Sequence, residues 1–471
     1  MTFTVVMTEA DESRLRDLVF SNGENEGVAY VLLGRATIPH DPWTGAPTER
    51  FLLHEVVPIA HTDILTASPV QITWRTETFV RLLRRARQEK WLLGVVHSHP
   101  HGPSNWSRQD DTSESELCSL LQRRNRTTDP FLSILLAPDD TWLVRKWASP
   151  EKVECSDRIL TVGNRFRLRH DARPVARELA RAWNRQALAL GGALTDDLRA
   201  LRVGVVGVGG TGSALTMQLA RLGVGQLLVV DPDYVDHTNL GRLHGATLDD
   251  ADQKKLKVDV MAREVERMGL GTRVVRFATH LHDPSVRTAL AACDLVFGCT
   301  DDHDGRLLLN RLAYFYLKPV IDLGLGSTVN TSDAGARLNV EARVTVLTPG
   351  TRCLLCHRVV NLARARAEQL ERMDPLRYAR DLAEAYVEGE GNPSPAVVTF
   401  TTGVAILAME EFLHRIQGFR GPVGHVDHRV RFAHRSSERR PGAERNPNCS
   451  VCEDPSYWGR GDIVPYLDRT G

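Results

Sequence analysis

The stretch Leu201-Arg-Val-Gly-Val-Val-Gly207-Val-Gly209-Gly210-Thr-Gly212-Ser213, with its continuation into Leu227-Leu-Val-Val-Asp231, decides the reading of this chain. A short apolar run, Val203–Val206, turns through the four glycines into a helix-like segment, Ser213–Leu222. A second apolar run, Leu227–Val230, ends at Asp231. Glycines let the backbone turn tightly and approach a phosphate closely. The first turn of the helix then offers free N–H groups and a positive dipole end, and Asp231 can hydrogen-bond ribose hydroxyls. A glycine turn alone is a weak signal. Here both flanking strands and the acid stand where the unit requires them, so nucleotide binding is expected.

Outward from this unit, further strands are predicted at Val274–Phe277, Asp294–Cys299 and Val320–Leu323, with helices between them. That alternation predicts a doubly wound parallel sheet with ligands over the strands' carboxyl ends. Asp231 and Asp301 both follow such ends and should converge on one crevice. Between them lie Asp233, Asn239, Arg242 and the lysines Lys254, Lys255 and Lys257. Asn239, Arg242 and one lysine are enough to hold a triphosphate, and Asp301 can hold the magnesium that bridges it. A hydride-transfer enzyme has no need of this set.

The first 150 residues read as a separate α/β domain. Strands are expected at Phe3–Met7, across Glu26–Gly34, at Phe51–Ile59 and at Trp91–Val96, with helices over Asp11–Phe20 and Thr76–Glu89. The last of these strands runs into His97-Ser-His99-Pro, and Ser107 and Asp110 follow. Two imidazoles from an extended segment and a carboxylate from the next turn make a three-ligand metal site. Its fourth position stays open for water, as in catalytic zinc sites. Glu26 is the carboxylate on offer to take that water's proton, and the Ser107 hydroxyl can donate to a developing oxyanion. His101 and Asp111 lie beside the ligands but outside the pattern.

Four of the eight cysteines form two C-x-x-C pairs, Cys353/Cys356 and Cys449/Cys452, separated by 92 residues (357–448). That gap far exceeds a zinc ribbon's, so the pairs must meet through the fold. Four thiolates fill zinc's coordination, so this site should be structural. The N-terminus has no basic stretch leading into an apolar core, and charge interrupts every long apolar run, so a cytoplasmic protein without a membrane span is expected. Lys+Arg and Asp+Glu both number 59, so charge offers no reason to expect a nucleic-acid partner.

The pattern Glu26…His97-x-His99-x(7)-Ser107-x-x-Asp110 resembles the JAB/MPN (JAMM) metalloenzymes across about residues 1–150. Ala29 stands where many members carry glycine. The resemblance implies a zinc isopeptidase or peptidase cutting after the terminal glycine of ubiquitin-like proteins. In it His97, His99 and Asp110 are ligands, Glu26 the general base and Ser107 the oxyanion stabiliser. From about Val175 to Cys452 the chain resembles the MoeB/ThiF and ubiquitin-activating superfamily. The motifs that carry it are Arg185-Gln186, the glycine turn, Asp231-x-Asp233, Asn239-Leu-x-Arg242, the lysine, Thr300-Asp301 with Arg306, and the two cysteine pairs. That resemblance implies ATP- and Mg²⁺-dependent adenylation of a terminal glycine carboxylate, with Asp231 on the ribose, Asn239, Arg242 and a lysine on phosphates, and Asp301 at the metal. Lys257 fits the lysine best, with Lys254 or Lys255 as alternatives. Arg185 would reach a nucleotide site of a partner subunit, which implies a homodimer.

Many members of that superfamily carry a further cysteine that takes the activated protein as a thioester. Its expected neighbourhood, Asn392–Phe400, contains none, so transfer straight from the adenylate to a sulfur donor, amine or conjugating enzyme is expected. The domains expected are 1–150, a basic connector at 151–174, and 175–471. Together they make a two-headed enzyme for one ubiquitin-like or sulfur-carrier protein. The alternative is an adenylating enzyme whose first domain only docks that protein.

Overall fold

The computed structural model describes residues 3–101, 105–156, 158–170, 181–332, 335–383 and 396–463. The first domain is built on strands β1 (Phe3–Thr8), β2 (Val28–Ile38), β3 (Thr48–Pro58), β4 (Ile64–Ser68), β5 (Gln71–Trp74), β6 (Leu92–Ser98), β7 (Phe131–Leu136) and β8 (Trp142–Ser149), with helices α1 (Glu9–Val19), α2 (Glu77–Glu89) and α3 (Arg108–Asn125). The start of α1 is specified locally. Thr8 accepts from the Asp11 N–H at 3.0 Å while Asp11 accepts from the Thr8 N–H, a reciprocal cap. Strand β2 is buried on both faces. Ala29, Val31 and Leu33 enter one apolar core under α1, and Val28, Tyr30 and Leu32 enter another under α2 and α3. This is the two-residue alternation of a strand covered on both sides.

Residues 151–174, read above as a connector, instead carry three strands of the same sheet: β9 (Lys152–Ser156), β10 (Arg158–Val162) and β11 (Arg167–Arg169). The sheet order is β11-β10-β1-β3-β2-β6-β7-β8-β9, so the chain leaves one edge and returns at the other, with β10 parallel to β1. The arginines that gave this stretch its linker-like composition are spent on distant partners. Arg158 meets Asp294 at 2.9 Å, Arg169 meets Glu12 at 2.8 Å, and Arg165 donates to the Arg415 carbonyl at 3.0 Å.

Residues 171–180 lie outside the described residues. The description resumes with a 3₁₀ turn at Arg181–Trp183 and α4 (Asn184–Leu190). Then follow α5 (Ala193–Ala200), β12 (Arg202–Val206), α6 (Gly210–Leu222), β13 (Gln226–Val230), α7 (Leu248–Asp252), α8 (Lys257–Arg267), β14 (Arg273–Phe277), α9 (Pro284–Ala292), β15 (Leu295–Gly298) and α10 (His303–Phe315). The chain continues through β16 (Val320–Ser332), β17 (Gly335–Leu347), α11 (Leu362–Met373), α12 (Pro375–Ala383), α13 (Val398–Gln417), β18 (His428–Phe432) and β19 (Ser437–Arg439). The order β14-β13-β12-β15-β16 is parallel and reverses direction between β12 and β15, which is where such sheets bind ligands. Beyond β16 the sheet turns antiparallel through β17, β18 and β19, an extension absent from the expectation of a purely parallel sheet.

The two domains share one core. Val6, Ala36, Ile38, Leu52 and Leu160 of the first sheet pack with Val286, Ala289 and Leu290 of α9 and with Leu312 of α10. At its edge the buried Asp294 accepts from Arg50 at 2.7 Å, from Arg158, and from the Arg202 N–H at 2.9 Å. The C-terminal segment returns across this junction. Gly461 N–H donates to the Phe315 carbonyl at 2.8 Å, and Asp462 N–H donates to the Arg35 carbonyl at 2.7 Å. The first domain thus docks against α9 and α10 and on the amino ends of β12 and β14, where Arg202 meets Asp41 and Arg273 donates to the Trp43 carbonyl, whereas the glycine turn follows the carboxyl end of β12.

Candidate functional site

The crevice expected to take a nucleotide is assembled mainly from backbone. Gly207 has φ +84°, and a Cβ there would stand 2.8 Å from the Cys299 carbonyl. A Cβ at Gly212 would stand 1.9 Å from the Gly207 oxygen, so only glycine lets α6 start this close to the strand. Among the described residues, nothing stands within 4 Å of a would-be Gly209 Cβ. At Gly210 the nearest groups are Thr401 of α13 at 3.1 Å and the Arg242 stem at 3.2 Å.

Asp231, 5 % exposed, accepts from the Val208 N–H at 2.8 Å and from the Asp233 N–H at 2.9 Å. Burial pushes its carboxyl up, against the pull of Lys257 and these two N–H groups. Lys257 is the first residue of α8, with Nζ 2.6 Å from Asp233 and 3.8 Å from Asp231. Lys255 turns instead to Asp249 and Asp250 at 3.2 and 3.3 Å, and Lys254 occupies a left-handed backbone position. Asn239 closes a reciprocal cap with Asp236, its amide oxygen accepting from the Asp236 N–H at 3.2 Å.

Asp301 is exposed just beyond β15, and Arg306 donates to its carbonyl at 3.2 Å while its Nε lies 3.5 Å from Asp322. Arg185 is exposed on α4. Its neighbour Gln186 donates to Leu222 at the C-terminal end of α6 at 3.1 Å, about 20 Å along that helix from the glycine turn. Sequence reasoning missed the start of α13 as a wall of the crevice. Besides Thr401, its Thr402 meets His244 at 2.9 Å, and the His244 N–H donates to Ser213. No spacing in the chain announces that contact, which spans 158 residues. The neighbourhood searched for a thioester cysteine lies in part, at 392–395, outside the described residues.

The first domain holds a second site, built from side chains. Alternation along β6 sends His97 and His99 to one side and Ser98 to the other, where Ser98 accepts from Gly27 and donates to the Val19 carbonyl at 2.6 Å. Ser107 caps α3, and its backbone N–H donates to Asp110 at 2.7 Å while its hydroxyl accepts from the Asp110 N–H at 3.1 Å. Asp110 thus faces the histidines, at 3.3 Å from His97 and 3.5 Å from His99, and Glu26 stands 3.7 Å from His99. All three ligand atoms lie within 4.8 Å of one another. Bonds of about 2.05 Å arranged tetrahedrally put ligand atoms about 3.3 Å apart, so the set fits zinc. Among the described residues the buried His97 Nε2 makes no hydrogen bond, as expected of a nitrogen kept for a metal.

Burial raises the Asp110 carboxyl, but His97, His99 and the Ser107 N–H outweigh it and hold the group well below the usual carboxylate range. Burial pushes Glu26 up, with His99 and His97 opposing. Asp111, adjacent in sequence, faces away from this set and pairs with Arg145 at 2.6 Å; His101 is exposed.

The two C-x-x-C pairs meet. Sulfur–sulfur distances are 3.8 Å for Cys353–Cys356, 3.6 Å for Cys353–Cys449 and 3.5 Å for Cys356–Cys452. A tetrahedral ion with bonds of about 2.3 Å needs about 3.8 Å between sulfurs, so the four thiols fit zinc. Cys118 and Cys293 are buried, Cys299 lies behind the glycine turn with its thiol pushed up by burial, and Cys155 is exposed.

Comparison with known proteins finds two family models in this chain. The ThiF family model matches residues 183–451, and the model for prokaryotic homologs of the JAB domain matches residues 9–147. Among curated relatives, a molybdopterin-synthase adenylyltransferase of Salmonella typhimurium is 34% identical over 166 residues, 34% of this chain and 60% of that protein. An adenylyltransferase and sulfurtransferase UBA4 of Meyerozyma guilliermondii is 31% identical over 154 residues, 32% of this chain and 35% of that protein. A SAMP-activating enzyme E1 of Haloferax volcanii is 30% identical over 155 residues, 33% and 52% of the respective chains. Each match therefore spans less than two thirds of the relative's own length. No helix among the described residues is long and apolar enough to cross a membrane. With its glycine turn, buried Asp231 and three of the four clustered cysteines inside the matched region, the chain belongs to the ThiF family and carries a JAB-type domain ahead of the ThiF region.

Proposed function

We propose that the crevice adenylates the C-terminal glycine carboxylate of a ubiquitin-like or sulfur-carrier protein. The carboxylate oxygen bonds to the α-phosphorus of ATP and pyrophosphate leaves. The reading is carried by one observation: the glycine turn, the buried Asp231 and Lys257 meet at the reversal point of the parallel sheet in a ThiF-family chain. Asp231 would hold the ribose hydroxyls. The first-turn N–H groups of α6 with Asn239, Arg242 and Lys257 would hold phosphates, and Asp301 would serve Mg²⁺. Arg185, far along α6 from its own glycine turn, would act in the crevice of the second subunit of a homodimer. Without a thioester cysteine in 392–400, the adenylate would pass directly to a sulfur donor, an amine or a conjugating enzyme.

The first domain is proposed to hydrolyse the bond after the terminal glycine of the same protein, from a precursor or a conjugate. His97, His99 and Asp110 would hold zinc, which when bound supplies a water acidified to about pKa 7 and polarises the scissile carbonyl. Glu26 would take that water's proton and return it to the leaving amine, while the Ser107 hydroxyl donates to the oxyanion. A second zinc at the four thiolates would be structural.

Intact-mass analysis with Mg²⁺-ATP and glycine-ended carriers, each supplied mature and with a short extension, tests both heads. Loss of the extension followed by an AMP increment is expected. AMP addition without trimming, unchanged in Glu26→Ala, would leave the first domain as a docking module. An enzyme adduct that persists until thiol is added would refute direct transfer.

A further inference from the structure

Outside the ligand set, a dense polar cluster of the first domain surrounds Arg145 on β8, a residue only 3 % exposed. Its Nε donates to Glu114 at 2.6 Å and its Nη1 to Asp111 at 2.6 Å. Both acids belong to α3, one residue and four residues after Asp110. Glu114 is gripped from the same strands by Trp147, whose indole donates at 2.8 Å, and by Ser133, the cross-strand neighbour of Arg145. The guanidinium also lies against two indoles, 4.0 Å from Trp106 and 5.1 Å from Trp147. Trp106 immediately precedes Ser107, and its ring stands 5.7 Å from the ring of His97.

One side chain thus holds three parts of the first site. Through Asp111 and Glu114 it sets the register of the turn that presents Asp110. Through Trp106 it positions the residue before Ser107 and one side of the His97 ring. The reciprocal cap ties Ser107 and Asp110 to each other but does not by itself fix the pair against the histidines on the sheet. A planar fork clamped between sheet and helix does, because it fixes distance and orientation together. We propose that Arg145 is a positioning residue for the hydrolytic site, holding Asp110, Ser107 and His97 in metal-binding register without touching metal or substrate. The proposal rests on the hydrolytic reading of the first domain.

Arg145→Lys keeps the charge and removes the fork and the flat face. Trp106→Ala, at a half-buried position, removes the stacked ring and leaves the Arg145–Glu114 pair intact. Zinc affinity of the first site, measured by chelator competition with the four thiolates already filled, is expected to fall about 10- to 100-fold in Arg145→Lys, the range seen when a partner behind a metal ligand is altered. In Trp106→Ala the fall is expected to be smaller, with turnover of an extended carrier falling more than KM rises. ATP–pyrophosphate exchange in the second head should be unchanged in both and reports that the shared fold is intact. Unchanged zinc affinity in either folded variant overturns the proposal while leaving the hydrolytic reading standing. A wild-type protein whose first site takes up no zinc overturns that reading and the proposal with it.

Discussion

The two sites of this chain are made of different materials. The crevice is a backbone device: two glycines that tolerate no Cβ, a helix end and a buried acid spent on two N–H groups, all within residues 207–233. The first-domain site is a side-chain device in which Glu26, His97, His99 and Asp110 arrive from three separate elements and face one another at 3.3–3.7 Å. Backbone sites tolerate changes of charge and fail on added volume. Side-chain sites tolerate volume at their edges and fail on loss of a single proton-carrying or metal-binding group.

The largest effect expected from that contrast is on cleavage. Glu26→Ala should lower hydrolysis of an extended carrier by about 10²–10⁴-fold, the usual worth of a general base, with pyrophosphate exchange unchanged. Gly212→Ala should act in reverse. Its methyl would meet the Gly207 oxygen at 1.9 Å, and the resulting shift of the turn, of the order of 1 Å, should cost exchange about 10²-fold while cleavage persists. If both variants lose both activities, the two sites are not independent devices.

The junction between the heads offers a third test. Asp294→Asn should destabilise the folded chain by about 3–5 kcal/mol in denaturant titrations, because Arg50 and Arg158 lose their buried counter-charge. Burial raises the Asp294 carboxyl, but the guanidinium groups of Arg158, Arg50 and Arg202 prevail and hold it well below the usual carboxylate range. A carboxyl lower in the folded than in the unfolded state adds stability above the unfolded value, about pH 4, and loses it as pH falls further. Wild type should therefore weaken below pH 4 more steeply than the asparagine variant. Parallel acid profiles would remove this role.

Smaller effects bear on the thiolate cluster and on the open face of the turn. Cys449→Ser should lower the thermal midpoint by about 5–10 °C as a zinc-dependent part of the fold loosens, and added zinc should not restore it. Gly209→Ala, with nothing among the described residues within 4 Å of the added methyl, should change stability by only about 0.5 kcal/mol. Its effect on ATP affinity should be larger than on stability, since that open side is the one a phosphate approaches. Equal effects would place the nucleotide elsewhere.

Much of this was legible in order along the chain. The strand–turn–helix–strand unit, the His-x-His segment with Ser107 and Asp110, and the cysteine pairs are local patterns, because glycine conformations, caps and alternation act over a few residues. The stretch at 151–174 was not legible. Its arginines look like solvated linker charge until Asp294, Glu12 and the Arg415 carbonyl are brought beside them. The wall that α13 adds to the crevice was hidden for the same reason.

By itself, then, the sequence determined which chemistry-bearing residues exist and which short units present them: the four-glycine turn ending at Asp231, the metal-ligand spacing, and two thiol pairs too far apart to meet without a fold. Only the tertiary structure decided that those thiols lie 3.5–3.8 Å apart, that Lys257 is the lysine facing Asp231, and that the first sheet closes with strands from beyond residue 150. It also decided that both domains are fused through one buried core. Such contacts form between residues tens to hundreds of positions apart, and their driving force is burial of apolar surface with its trapped charges paired. No local pattern encodes which distant partner will be there.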